Sequence, residues 1–226
     1  MIVRMWMTRD PQTVEKQETI VKAAQVMAQY RVRRLPVVNK RADGKEVIGI
    51  ITSHDVLHAF PPAIKPFAVE GTQGAKLDPS ASLVSDIMTP NVLTVNVEDP
   101  LEVAAKILRD KKVGALPVLL NNRLAGVLTE SDCFRALISI LRIDKGGVRI
   151  TFDLSDADGA PLHDVVGLAG QHGLEVASFL TFDDQEKRVA VMRVQGADTA
   201  PFIDKLWKLG HRVLTIYSPS GKHRES

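Results

Sequence analysis

Two segments of the chain show the helical spacing of apolar residues, in which a hydrophobic side chain recurs every three or four positions. Small alanines stand in the middle of both stripes, and their size would let each helix lie close to a sheet. We therefore predict an amphipathic helix in each segment. The stripes comprise Ile20, Ala23, Ala24 and Met27 in one segment, and Leu101, Ala104, Ala105 and Leu108 in the other.

Each helical segment is followed by two short runs of β-branched and aliphatic residues, a composition typical of strands. A polar turn separates the runs, Asp43-Gly44 in the first case and Asn121-Asn122 in the second, and such turns predict β-hairpins. A short extended piece containing Thr-Val precedes each helix, and another helix follows each hairpin, the later one from Ser131 to about Arg142. The predicted hairpin strands are 35–38 with 47–51, and 116–120 with 124–128.

These two halves are copies of one unit. Residues 7–38 align without a gap with residues 88–119 at an offset of 81, and ten of the 32 positions are identical, where chance would give roughly two. After a shortened turn the copies realign at 49–55 and 126–132 as Gly-x-x-Thr-x-x-Asp. The sequence therefore predicts an α+β fold with tandem strand-helix-strand-strand-helix repeats at 1–60 and 83–143.

The pattern changes after Gly146. Two strand–helix–strand halves follow one another, which is the split βαβ order of ferredoxin-like domains, and a separate domain is predicted at 146–218. Within it, Trp207 at helical spacing from Ile203 is expected in the core. A Pro/Gly-rich surface linker is predicted at 61–82 and a frayed tail at 219–226. The predicted elements are strand 148–154, helix 162–171, strands 174–182 and 188–195, helix 201–209 and strand 213–217.

Composition narrows the class of protein. The 226 residues are 45% hydrophobic, which suits a globular fold, and the formal charge of +2 is spread along the chain. A dispersed charge of this size disfavours a nucleic-acid binder. The single cysteine, Cys133, excludes an internal disulfide, and no apolar run is long enough to span a bilayer. We expect a soluble cytoplasmic protein with no membrane partner.

The duplicated Thr and Asp of the last motif are the strongest candidates for ligand contact. An ionised Asp can accept both hydroxyl protons of a ribose, and a Thr hydroxyl can donate to a phosphate oxygen. Thr52 and Asp55, with Thr129 and Asp132, have this pairing in both repeats. The alternative is helix capping, because the same residue types satisfy free N–H groups at a strand-to-helix turn.

The repeats differ just before the Leu-Pro-Val motif, where the first has Arg33-Arg34 and the second Gly114-Ala115. Arginines there could neutralise phosphates, whereas Gly-Ala would let a flat base approach the main chain, so the site is predicted to be lopsided. The alternative for the arginines is a solvated charge cluster. His54 and His58 have a metal-compatible spacing but lack a third ligand, so no metal site is predicted, and Cys133 has no base partner for catalysis.

Residues 1–142 resemble a tandem pair of CBS domains. The resemblance rests on Met-Thr near the start, Leu-Pro-Val in the middle and Gly-x-x-Thr-x-x-Asp at the end of each repeat. It implies a disc with a cleft for AMP, ATP, ADP or S-adenosylmethionine, a regulatory role and a homodimer. The nucleotide contacts that the motifs and the resemblance together suggest are Thr13, Arg33, Arg34, Leu35, Pro36, Thr52, His54, Asp55, Thr94, Gly114, Ala115, Leu116, Pro117, Thr129, Ser131 and Asp132.

Residues 146–218 resemble an ACT domain, mainly in the order of elements. In that family an Asp-x-Pro-Gly loop holds an amino-acid effector; here the Pro-Gly order is lost, leaving Asp158 and Gly159 as candidate effector contacts beside a purely structural role. The combination resembles CBS-ACT proteins of the acetoin-utilisation type. We expect a non-catalytic adenine-nucleotide sensor, AMP being the favoured ligand, with no required cofactor and an unidentified regulated partner. The alternatives are an assembly module with empty clefts and an enzyme of acetoin metabolism.

Overall fold

The computed structural model describes residues 1–59, 81–154, 161–184, 187–218 and 224–225. Within these residues the chain divides into two compact units, Met1–Phe134 and Arg135–Ser226, with the division inside one helix. Of the linker predicted at 61–82, residues 61–80 lie outside the described residues, as do the predicted effector contacts Asp158 and Gly159.

The first unit contains the two repeats, each with the predicted strand-helix-strand-strand-helix order, which is preceded by elements that were not predicted: β1 in the first repeat, and α3 and β5 in the second. The first repeat comprises β1 (Thr8–Arg9), β2 (Val14–Glu15), α1 (Ile20–Tyr30), β3 (Arg34–Arg41), β4 (Gly44–Thr52) and α2 (Ser53–Ala59). The second comprises α3 (Val84–Ile87), β5 (Thr89–Pro90), β6 (Val95–Asn96), α4 (Leu101–Lys111), β7 (Ala115–Leu120), β8 (Arg123–Thr129) and α5 (Glu130–Ile140).

Local sequence explains where these elements begin and end. The Thr19 hydroxyl accepts a hydrogen bond from the Lys22 N–H (3.2 Å), which caps the start of α1. In the second hairpin Asn121 and Asn122 both have positive φ (51° and 60°), as a type I′ turn requires. The predicted helix stripes are confirmed, because their residues are buried against a sheet: Ile20, Ala23 and Met27 in α1, and Leu101, Ala104 and Leu108 in α4.

The two sheets are completed by an exchange of strands between the repeats. Their strand orders are β2-β3-β4-β5 and β1-β8-β7-β6, so the strand ahead of each repeat pairs with the hairpin of the other. We call residues 1–9 and 82–90 the leading segments. Equivalent main-chain hydrogen bonds hold them: Val3 N to Asp99 O (3.0 Å) and Arg4 N to Val97 O (3.0 Å), and Val84 N to Glu18 O (2.8 Å) and Ser85 N to Lys16 O (3.0 Å).

A glycine makes each exchanged pairing possible. Gly126 on β8 pairs with Arg9, and a Cβ at Gly126 would lie 2.7 Å from the Thr8 carbonyl oxygen. Gly49 on β4 has the same relation to the other leading segment, with the Thr89 carbonyl oxygen 2.9 Å away. The glycine of Gly-x-x-Thr-x-x-Asp therefore admits the strand that carries Met-Thr.

The second unit is an antiparallel sheet covered on one face by two helices. Its elements after α5 are β9 (Val148–Asp153), α6 (Pro161–Gln171), β10 (Glu175–Asp184), β11 (Lys187–Gln195), α7 (Ala200–Lys208), β12 (Val213–Tyr217) and β13 (Arg224–Glu225). The strand order β10-β11-β9-β12-β13 places the first and third strands centrally, as in the split βαβ arrangement.

Two expectations for this unit were wrong. Trp207 is 50% exposed, because Phe202 and Leu206, one helical turn apart, form the buried face of α7 and the next position points away. The tail expected to fray contains β13, which pairs with β12 through Arg224 and Glu225.

A buried arginine holds the end of α5 in this unit. Arg193 on β11 is 6% exposed, and its Nε donates to the Leu141 carbonyl oxygen (3.1 Å) while its Nη1 donates to that of Gly146 (3.1 Å). The Ser178 hydroxyl donates to the same Leu141 oxygen (3.3 Å). A cation at a helix C-terminus satisfies carbonyls that have no partner in the helix and opposes the negative end of the helix dipole.

Candidate functional site

A cavity of about 490 Å³ lies within the first unit, where the two repeats meet. Its volume is in the range of small-molecule sites, roughly 300–1,000 Å³. We call it the Thr129 cavity. It is lined by Thr8, Asp10, Pro11, Gln12, Tyr30, Val32, Arg33, Arg34, Pro36, Gly114, Ala115, Val127, Thr129, Glu130 and Ser131.

The turn between β8 and α5 forms one end of the cavity. The Asp132 carboxylate accepts through Oδ2 from the Thr129 N–H (2.8 Å) and hydroxyl (2.7 Å), and the Asp132 N–H donates to the Thr129 hydroxyl oxygen (3.3 Å). Asp132 is 4% exposed. The aspartate therefore shapes the turn and orients the threonine, and Thr129, Glu130 and Ser131 bring the start of α5 to the cavity.

The corresponding turn of the first repeat has the same hydrogen bonds. Oδ2 of Asp55 accepts from the Thr52 N–H (2.7 Å) and hydroxyl (2.8 Å), and the Asp55 N–H donates to the Thr52 hydroxyl oxygen (3.2 Å). Capping alone would account for these bonds in either turn. These hydrogen bonds also hold one threonine hydroxyl in a fixed position at the first turn of each helix.

The arginine pair lines the same cavity as the Thr129 turn. The Arg34 guanidinium rests directly on the main chain of Gly114, so close that a Cβ on Gly114 would be 2.8 Å from the guanidinium carbon. Both residues line the cavity, together with Arg33 and Ala115. The absence of a side chain at Gly114 therefore gives room to the arginine of the other repeat, whereas we had expected it to admit a base.

Seven of the predicted contacts line the Thr129 cavity, and nine do not. Leu35 and Leu116 are fully buried, so their side chains belong to the hydrophobic core. Thr52, His54 and Asp55 belong to the turn of the first repeat. The seven that line the cavity are Arg33, Arg34, Pro36, Gly114, Ala115, Thr129 and Ser131. The nine that do not are Thr13, Leu35, Thr52, His54, Asp55, Thr94, Leu116, Pro117 and Asp132, the last of which is hydrogen-bonded to Thr129.

Sequence reasoning missed a whole wall of this cavity. The wall is the leading segment and the residues after it, Thr8, Asp10, Pro11 and Gln12. The repeated Met-Thr was the available signal, but nothing in it indicated that its strand pairs with the opposite repeat. Tyr30, Val32, Val127 and Glu130 were also missed.

The sequence contains two further candidate chemical groups, a histidine pair and a lone cysteine. His54 and His58 are exposed, with their Nε2 atoms 3.0 Å apart, and among the described residues no group of three or more His, Cys, Asp or Glu could hold a metal ion. Burial raises the pKa of the Cys133 thiol, and the neighbouring Asp132 and Glu130 raise it further. A raised pKa opposes nucleophilic catalysis, because the thiolate is the reactive form.

A second cavity, of about 570 Å³, lies beside the tips of the two hairpins. There the Arg123 guanidinium donates to the Asp43 carboxylate (2.6 Å), which joins the two hairpin turns and lowers the pKa of Asp43. Arg4 forms an ion pair with Glu98 (2.9 Å) in the same region. Asp43 and Glu98, two of the acids in the lining of this cavity, are therefore engaged by arginines.

The fold and the cavity define a tandem α+β module whose two repeats exchange strands and share a ligand-sized site. A family model described as CBS domain matches residues 3–62 and 84–139, which is slightly more than half of the chain. The chain belongs to the CBS-domain family. The matched residues end before the C-terminal sheet, whose identity as an ACT domain stays a prediction.

Individual relatives agree with this assignment. A CBS domain-containing protein of Dictyostelium discoideum is 33% identical over 62% of this chain and 93% of its own length. An uncharacterised protein of Methanocaldococcus jannaschii is 34% identical over 60% of this chain, which spans about half (48%) of that relative. The crystal structure of a Vibrio cholerae protein provisionally assigned to acetoin utilization (AcuB) has a TM-score of 0.52 and 25% identity, and covers 64% of this chain and 96% of that protein.

No helix among the described residues is both long enough and apolar enough to cross a membrane.

Proposed function

We propose that this chain is a non-catalytic regulatory protein whose CBS pair binds an adenine nucleotide, AMP most readily, in the Thr129 cavity. The observation that carries the proposal is the convergence of Thr129, the start of α5 and the Arg34 guanidinium on one cavity of about 490 Å³. A helix N-terminus and an arginine both favour a phosphate, through free N–H groups and a fixed donor fork.

The remainder of the lining suits a base and a sugar. Tyr30, Val32, Pro36 and Val127 supply apolar and aromatic surface, on which a flat ring can pack. A nucleotide has this same division between an apolar ring and a charged end. AMP fits the local charge better than a polyphosphate does, because the two arginines of the lining are matched by two carboxylates, Asp10 and Glu130.

The second part of the proposal is a relay from the cavity to the C-terminal unit or to a partner protein. The helix α5 starts at Glu130 beside the cavity and ends at Ile140, and Arg193 of the C-terminal sheet binds the carbonyl that follows. A ligand shifts such an equilibrium only if it binds one arrangement more tightly than the other. We also propose that the protein acts as a homodimer and that the C-terminal unit is an ACT-type regulatory domain.

Calorimetric titration of AMP into matched arginine variants tests the site. Arg34→Gln removes the charge at the cavity and should weaken AMP binding about tenfold or more, because a hydrogen bond to a charged group contributes about 1.5–3 kcal/mol. Arg109→Gln is the control, since Arg109 lies exposed on α4, outside the cavity lining. Equal AMP affinities for wild type and Arg34→Gln would exclude the proposed site.

One observation favours a second candidate, an assembly module whose clefts stay empty. In both repeats the Asp Oδ2 atom is already engaged by its own turn, as capping would require. Thermal-shift measurements with AMP, ADP, ATP and S-adenosylmethionine distinguish the two functions, because a ligand that binds only the folded state must raise the melting temperature. No shift at millimolar ligand would favour the assembly module.

The likeness to the Vibrio cholerae protein keeps acetoin utilization as a candidate pathway for this chain. An enzyme of that pathway remains the third candidate. Release of product from acetoin by the purified protein, without any added enzyme, would favour it over a sensor.

A further inference from the structure

The second cavity, beside the hairpin tips, has a balanced set of charges. Its lining contains three arginines and three carboxylates. Four of these residues form ion pairs with one another, Arg123 with Asp43 (2.6 Å) and Arg4 with Glu98 (2.9 Å). One arginine and one carboxylate of the lining therefore lie outside these ion pairs.

The two remaining charges belong to adjacent residues, Arg9 and Asp10. Side chains of neighbouring strand residues point to opposite faces. Arg9 is the last residue of β1, however, and Asp10 follows it with a φ of 45°, so the alternation ends there and both residues line the second cavity. Within the part of the chain that the structure describes, neither side chain forms an ion pair or a hydrogen bond. Both are exposed, so a ligand can reach them.

The same Arg-Asp dipeptide occurs on α4 with a different outcome. There the Arg109 Nε donates to the Asp110 carboxylate (2.8 Å), so the two charges satisfy each other. Arg9 and Asp10 lack this contact. The second leading segment has the uncharged Pro90 and Asn91 at the equivalent positions, so the pair of available charges occurs in one repeat only.

The rest of the lining of the second cavity is largely apolar. Met7, Val97, Leu120 and Leu124 contribute the larger apolar side chains. The volume of about 570 Å³ is within the range of small-molecule sites. A ligand that matches this lining has one negative group, one positive group and an apolar body that gains from removal from water.

We propose that the second cavity binds a zwitterion of the α-amino-acid class with an apolar side chain. The Arg9 guanidinium donates to the carboxylate of the ligand, and the ammonium group of the ligand donates to the Asp10 carboxylate. A ligand with a single charge would leave either Arg9 or Asp10 without a partner. The inference goes beyond the proposed nucleotide binding and does not depend on it. It also concerns the first unit, not the predicted effector contacts Asp158 and Gly159.

Calorimetric titration of L-leucine into the full chain tests the site. Arg9→Gln should weaken leucine binding about tenfold or more, because hydrogen bonds to the charged carboxylate are lost. Asp10→Asn should do the same, and asparagine is compatible with the backbone there because Asn91 has a similar φ of 51°. Arg109→Gln and Asp110→Asn are the matched controls outside the lining, and both should bind leucine as wild type does.

Two leucine analogues test the two charges of the ligand separately. N-acetyl-L-leucine lacks the ammonium group and L-leucinamide lacks the carboxylate, so each should bind wild type about tenfold or more weakly than leucine does. Equal affinity for either analogue would refute a zwitterion site.

The decisive variant is Arg9→Gln, because Asp10 also lines the Thr129 cavity whereas Arg9 does not. Equal leucine affinities for wild type and Arg9→Gln would mean that leucine binds elsewhere on the chain, and would overturn the proposal. Absence of leucine binding at millimolar concentration would overturn it as well. The titration of AMP is a separate measurement, so either result would leave the proposed nucleotide binding standing.

Discussion

Replacing Gly126 by alanine should separate β1 from β8 and destabilise the first unit. The new Cβ would lie 2.6 Å from the Met7 sulfur and 2.7 Å from the Thr8 carbonyl oxygen, well inside ordinary contact, which begins at 3.4 Å. The oxygen belongs to a paired strand and cannot rotate away. Overpacking of this kind costs about 1–3 kcal/mol. Alanine offsets about 0.4–1 kcal/mol of this by restricting the unfolded chain, so a net loss of roughly 1.3 kcal/mol, and at most about 2.6 kcal/mol, is expected.

The loss can be measured from the fluorescence of a single tryptophan. The chain has two tryptophans, and Trp207→Phe leaves only Trp6, which lies in the leading segment of the first unit. In that background Gly126→Ala should lower the urea midpoint reported by Trp6. Gly49→Ala should lower it less, because its nearest contacts are longer, 2.9 Å to the Thr89 oxygen and 3.0 Å to the Met88 sulfur.

Gly167→Ala is the control for these glycine variants. Gly167 lies in α6 of the second unit with nothing within 4 Å of an added Cβ, so alanine there should stabilise that unit by about 0.5–1 kcal/mol and must not lower the midpoint reported by Trp6. An unchanged midpoint for Gly126→Ala, or a larger loss for Gly49→Ala, would refute the exchange of strands as the reason for these glycines.

Three further predictions follow from described contacts. Arg193→Met removes two hydrogen bonds to main-chain carbonyls after α5 and should destabilise the second unit by about 1.5–3 kcal/mol, followed by the fluorescence of Trp207 alone. Arg123 lowers the pKa of Asp43, so the ion pair of the Asp43 carboxylate with Arg123 stabilises the fold at neutral pH, and this stabilisation is lost as pH falls below 3.8, the usual pKa of an aspartate. The difference in urea midpoint between wild type and Asp43→Asn should therefore become smaller between pH 6 and pH 3. Burial raises the pKa of Cys133, so iodoacetamide at pH 7.5 should label the native thiol more slowly than the urea-unfolded thiol, and equal rates would contradict the burial.

The repeats were predictable because their signals are local. Helical stripes such as Ile20, Ala23 and Met27, and turn residues such as Asn121-Asn122, act within one element and gave the right elements to within a few residues. Duplication strengthened each prediction, because the same pattern had to fit twice. The order of elements along the C-terminal unit was also predicted.

The exchange of leading segments was not predictable, because it depends on which of two equivalent hairpins a strand joins. Local rules would equally allow Thr8 to pair with β4 of its own repeat. Nothing in the sequence alone indicates which of the two hairpins the strand joins. For the same reason Asp10 and Gln12 were missed at the Thr129 cavity. The prediction that Trp207 lies in the core was wrong for a different reason. Periodicity identified the helix, but Phe202 and Leu206 form its buried face, and Trp207 lies outside that face.

The exchanged strands bear on the ancestry of the protein. A polypeptide with one such unit would expose an unpaired edge, and another molecule of the same kind could supply the missing strand, so the ancestral form would be a symmetric pair of identical chains. Joining two such units in one chain would make that association intramolecular. Identical subunits must carry identical residues in both copies of a site, whereas repeats within one chain can diverge, as they have where the first repeat has Arg33 and the second has Gly114.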